Sequence, residues 1–113
     1  MPGAGQVLVK LHAASLNRGE LIVGQGLNGH AGSKPAGMEG AGQIVQLGSD
    51  TGAWQVGDRV MGRCPGAFAE YAIATAANLI PIPEQLPYAE ATNFPTLYPT
   101  AYGALKWKAA MQP

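Results

Sequence analysis

Glycine and proline interrupt this chain so often that no regular element can run far: sixteen glycines and nine prolines are spread over 113 residues with no fixed period. Glycine supplies the unusual backbone angles of tight turns, and proline breaks helix interiors and central strands alike. Without a strict glycine repeat the chain is not collagen-like, and with 47% apolar residues it has enough to bury one modest core. The expectation is a mainly β fold of short strands joined by tight turns, with brief helices only.

Alternation of apolar and polar residues places the strands. Gln6 to Ala13 puts Val7, Val9 and Leu11 on one face and Lys10 and His12 on the other. Met38 to Leu47 reads as a strand entered through glycines, Gly57 to Arg63 as its return, and Ala67 to Thr75 as another alternating run. Leu79 to Pro83, with two prolines, can only be an edge or terminal strand. Asn17 followed three residues later by Glu20 has the spacing of a capping box, which predicts a short helix over Arg18 to Val23. Gly24 to Gly37 lacks any period and reads as a loop. Beyond Pro87 the pattern changes to two short helices, Tyr88 to Asn93 and Pro99 to Ala109, broken near Pro95. Tyr98, Tyr102, Leu105 and Trp107 do not fit one narrow stripe, so this tail is apolar on more than one side.

The chemistry the chain offers is sparse. Seven basic and seven acidic side chains are scattered rather than blocked, which leaves no footprint for nucleic acid or an anionic membrane. There is neither an export leader nor an apolar run long enough to span a bilayer, so the expected location is cytoplasmic. The lone Cys64 cannot form a disulfide within the chain. Cys64, His12 and His30 lack the paired spacing of a closed zinc site, and no Gly-x-Ser-x-Gly nucleophile elbow occurs. Gly24-Gln25-Gly26-Leu27-Asn28-Gly29 spells the dinucleotide pattern, but a predicted helix precedes it and a loop follows. A pyrophosphate seat needs the reverse, a strand leading in and a helix leading out. The expectation is therefore no metal site, no catalytic residue and no cofactor held by this chain alone. Glu39, in an apolar strand entry, is expected to be structural and to need a partner, for which Arg59 is the candidate.

A series of phrases spans nearly the whole chain: Gly5-Gln6-Val7-Leu8-Val9-Lys10, Ala14-Ser15-Leu16-Asn17-Arg18-Gly19-Glu20 and Pro35-Ala36-Gly37-Met38-Glu39-Gly40-Ala41-Gly42 come first. Val56-Gly57-Asp58-Arg59-Val60, Gly66-Ala67-Phe68-Ala69-Glu70-Tyr71 and Thr100-Ala101-Tyr102-Gly103-Ala104-Leu105 follow. In this order and spacing they resemble the GroES-like domain of the medium-chain dehydrogenase/reductase superfamily, in its quinone oxidoreductase-like branch. The resemblance implies a partly open GroES-like β barrel over residues 1–86 and a helical linker over 87–113 that would lead into a nucleotide-binding domain. Zinc-dependent members carry cysteine where Asn17 stands and histidine where Met38 stands, so the resemblance is to the zinc-free branch. Complete members of that branch use NADPH to reduce quinones, enones or related carbonyl compounds.

By the same resemblance, Asn17 would face the substrate cleft, Ile22 would stand where an aromatic is common, and Thr100 would approach the nicotinamide if a cofactor domain were supplied. From the residues alone, Asn17 is either a helix cap only or a cap that also faces a cleft. The resemblance further implies truncation at both ends, which would bare the first strand and the apolar tail. A homo-oligomer, or a complex with a separate cofactor-domain chain, is the expected partner arrangement. The alternative is a stand-alone binding or assembly module for a small ligand or protein, using the former cleft or a bared strand edge.

Overall fold

A computed structural model describes residues 1–22 and 35–112 of the chain. The glycine pattern at 24–29 and His30 lie outside the described residues. Five strands form one open antiparallel sheet: β1 (Gln6–Ala14), β2 (Glu39–Leu47), β3 (Arg59–Arg63), β4 (Tyr71–Thr75) and β5 (Leu79–Pro81), in the order β4-β1-β2-β3-β5. Two short helices follow, α1 (Tyr88–Ala91) and α2 (Leu97–Gly103), and α2 runs on into a wider π turn over Ala104–Lys108. The mainly β reading stands, with the five strands in one sheet that does not close.

The alternation seen in the sequence is what builds the core. Val7 and Val9 of β1 are fully buried beside Ile44 of β2, Val60 of β3 and the alanines at 72 and 74 of β4. Trp54, from the turn between β2 and β3, packs on this cluster and donates its indole N–H to the Ala76 carbonyl at 3.1 Å. The opposite face of β2 and β3 carries a second cluster, Ala41 and Met61 against Ile82 and Ala91, so α1 closes the sheet from behind.

Two register shifts in the β1–β2 ladder, between Leu8 and Val9 and between Leu11 and Ala13, break the plain pairing. Such irregularities sharpen the local twist and re-aim a side chain. At the second shift His12 has no cross-strand partner in β2, and its ring stacks on Tyr88 of α1 with centroids 4.5 Å apart.

Three expectations are corrected. The first strand is not bare: β1 pairs with β2 along one side and with β4 along the other, so β4 and β5 form the sheet edges. The helix after Asn17 is a single 3-10 turn, Arg18–Leu21, and Asn17 makes no side-chain cap bond to it. Glu20 does not reach back as a capping-box carboxylate but is buried, accepting the Gly37 N–H at 3.2 Å. Gly66, at φ +83°, turns the chain just ahead of β4, so that strand begins at Tyr71 rather than Ala67.

Gly42 shows how tightly the central strands are packed. A Cβ at this position would run into the carbonyl oxygen of Lys10 on the neighbouring strand. The nearest atoms are the Lys10 backbone, which cannot swing aside, so Gly42→Ala is expected to destabilise the fold by about 1–3 kcal/mol, read from urea unfolding.

Candidate functional site

Beyond the end of β1 the chain stays extended long enough to keep its two-residue period, which turns Ser15 and Asn17 the same way, towards the first residue of β2. That residue is Glu39, only 5% exposed. A carboxylate taken out of water needs hydrogen bonds to stay there. Ser15 Oγ donates to Glu39 Oε2 at 2.9 Å, Asn17 Nδ2 donates to the same oxygen at 2.8 Å, and Thr96 Oγ1 donates to Oε1. The carboxylate thus ties together the segment after β1, the start of β2 and the residue that opens α2.

Arg59 is not the partner of Glu39. In the β2–β3 register Arg59 stands opposite Gln43, four positions along the strand, and Arg63 stands opposite Glu39. At the strand rise of about 3.4 Å per residue, that register offset puts Arg59 roughly 13 Å along the sheet. Its guanidinium instead donates to the carbonyls of Pro83, Glu84 and Leu86, at 3.1, 2.8 and 2.6 Å, and lies 4.6 Å from the centre of the Tyr88 ring. Arg59 thus clamps the loop between β5 and α1.

The Glu39 network forms the wall between two hollows. The larger, about 600 Å³, is bounded by Asn17, Arg18, Met38, Arg63, Ile80 and Thr96. The smaller, about 280 Å³, opens on the side of Ser15, Thr92 and Leu97. Asn17 and Glu39 belong to both. The orientation of the Asn17 amide follows from its neighbours: a carboxylate only accepts, so Nδ2 must face Glu39, and its second hydrogen reaches Ser15 Oγ at 3.3 Å. That leaves Oδ1 as an acceptor available to a ligand.

The other sequence-derived candidates lie outside these walls. Ile22 follows the 3-10 turn and is 49% exposed. Thr100 is exposed on α2, where its backbone N–H bonds to the Thr96 carbonyl at 3.0 Å. The residues sequence reasoning passed over are Ser15, Arg18, Arg63, Asn78, Ile80 and Thr96. Ser15 carried a readable signal, the i, i+2 spacing to Asn17. Thr96 carried none, since it sits 57 positions from Glu39.

Cys64 is 1% exposed, and burial pushes its thiol up to about 11, with the nearby Glu39 charge adding to the rise and a backbone hydrogen bond from Gly40 opposing it. A thiol held neutral in this way is a poor nucleophile. Among the described residues no three His, Cys, Asp or Glu side chains converge on a point where a metal ion could sit. Nor do the described residues fit the pyrophosphate of a dinucleotide. The described helical elements are short, and none is entered from a strand through a glycine-rich turn.

Comparison with known proteins places this geometry. Residues 3–84 match the alcohol dehydrogenase GroES-like domain. The chain is similar to quinone oxidoreductase-like protein 2 of Bos taurus, 35% identical over 112 residues, covering 96% of this chain and 32% of that protein. Among solved structures it is similar to the quinone oxidoreductase from Coxiella burnetii, with a TM-score of 0.85 and 31% identity over 99% of this chain and 39% of the other. A mycobacterial protein complexed with NADPH has the same TM-score, 0.85, at 26% identity, covering 99% of this chain and 36% of the other. The chain spans 2% to 32% of the length of the curated relatives it matches.

Removing one donor from Glu39 should be felt in stability. Thr96→Val keeps the side-chain shape but deletes the hydroxyl, and is expected to cost about 1–3 kcal/mol in denaturant unfolding, with Thr96→Ser recovering most of the loss.

Proposed function

Because the chain belongs to the alcohol dehydrogenase GroES-like domain family, we propose that it is the acceptor-side domain of a zinc-independent, NAD(P)H-dependent quinone or enone oxidoreductase. The observation that carries this reading is the cleft of about 600 Å³ built around the Glu39 network, with the Asn17 amide held in a single orientation on its wall. Support also comes from the quinone oxidoreductase relatives and from the neighbour complexed with NADPH.

In this reading the domain performs no acid–base step. Asn17 Oδ1 offers an acceptor to an N–H or O–H donor in the cleft, Met38 and Ile80 give the bound molecule apolar contact, and the cleft keeps water away from the reacting carbon. Reducing equivalents would come from a nicotinamide cofactor held by a separate nucleotide-binding domain. Thr100, on the exposed side of α2, belongs to the surface a cofactor domain would cover, and Ile22 to the outer rim of the acceptor site. The same reading places the protein in the cytoplasm.

The isolated chain is then inactive. In calorimetry it should show no saturable heat with NADPH, and with a quinone present it should consume none above background. Adding a nucleotide-binding domain from a full-length relative should restore turnover. A micromolar NADPH isotherm, or turnover by the chain alone, would refute the proposal.

One further observation bears on partners. Tyr98, Tyr102, Leu105 and Trp107 of the tail are 55%, 59%, 52% and 76% exposed. Apolar surface of this kind favours association, with a second copy or with a separate cofactor-domain chain, and it is also what a stand-alone assembly module would present. Size-exclusion chromatography with light scattering at micromolar concentration should give a dimer or larger species; a clean, folded monomer counts against self-association.

A further inference from the structure

We infer that the cleft beside Asn17 takes an acceptor bearing a negative charge, a carboxylate or phosphate group, held between Arg18 and Arg63; this rests on reading that cleft as the acceptor site. In the β2–β3 ladder Arg63 stands directly opposite Glu39. Opposite charges at such a cross-strand position ordinarily satisfy each other. Here they form no ion pair: Glu39 Oε2 accepts from Ser15 and Asn17, Oε1 accepts from Thr96, and the group is 5% exposed. The Arg63 guanidinium is left without a hydrogen-bond partner among the described residues, and so is that of Arg18.

Arg18 reaches the cleft from the turn after β1 and Arg63 from the end of β3, so the two cations approach from either side of β2. The contrast with Arg59, whose guanidinium is fully engaged by three carbonyls and an aromatic ring, shows that an arginine in this protein can be used structurally when the fold calls for it. The ionisable groups of the cleft are thus two unengaged guanidinium groups and one carboxyl group already enclosed by neutral donors. Concave walls with apolar patches, here Met38 and Ile80, concentrate such a field. The planar fork of guanidinium matches carboxylate and phosphate oxygens two at a time. A neutral quinone makes no use of this arrangement.

The test compares two unsaturated probes of one shape, trans-cinnamate and trans-cinnamamide, titrated into the isotopically labelled chain and followed by NMR. Both should shift the amides of Met38, Glu39, Arg63 and Thr96. At low salt cinnamate should bind roughly fivefold to tenfold more tightly than the amide, and the preference should shrink as salt rises. Arg18→Gln together with Arg63→Gln should abolish the difference between the probes, and each single substitution should remove part of it. Both side chains are exposed, so unchanged amide shifts for Val7 and Ile44 will report that the core is intact. Equal affinity for the two probes, or a preference that survives the double substitution, overturns the inference and leaves the acceptor-site reading standing. If neither probe moves the cleft amides, the acceptor-site reading fails and the inference fails with it.

Discussion

Desolvating one carboxylate is the constraint around which the functional end of this domain is arranged. Glu39 opens β2 in a setting of glycine, alanine and methionine, where an unsatisfied charged group would cost several kcal/mol. The fold does not answer with an ion pair. Neutral donors from Ser15, Asn17 and Thr96 surround the group instead. Meeting that requirement fixes the path of the chain after β1, the position of the first residue of α2 and the rotamer of Asn17, and the cleft is the space these three leave between them. The consequence for chemistry is that the two arginines on its walls are not drawn into neutralising Glu39.

The β scaffold was legible because its signals are local. Period-two alternation in Gln6 to Ala13, paired prolines near Leu79 and glycines at the strand entries each state a backbone preference within a few residues. Strand ends were less readable where a single glycine overrides the pattern: Gly66 turns the chain so that Ala67 is buried and Phe68 exposed without belonging to a strand. The capping-box spacing of Asn17 and Glu20 misled for a different reason. Both side chains have stronger demands elsewhere, one from a buried carboxylate and the other from the Gly37 N–H, and tertiary demand overrides a cap worth about 1 kcal/mol.

The site itself was half legible. That Glu39 must be structural and must have partners follows from its surroundings in the chain. Which partners it takes does not follow, because cross-strand register decides it. Arg59 looked suitable as a cation near a strand start, yet a displacement of four residues in the ladder makes Arg63 the opposite residue and leaves Arg59 to hold the loop that leads into α1. Thr96 lay beyond sequence reasoning because nothing nearby in the chain distinguishes it from any other helix-opening threonine.

The span between Glu39 and Thr96 has a consequence for how the protein comes to exist. Closing a link over 57 positions carries an entropic penalty that local turns do not, and the β1–β4 ladder, which joins Gln6 to Thr75, carries a penalty of the same kind. The β2–β3 hairpin is easier to close, and both the far edge of the sheet and the cleft wait on long-range contacts. Ligand recognition becomes competent only once the start of α2 has docked against Glu39.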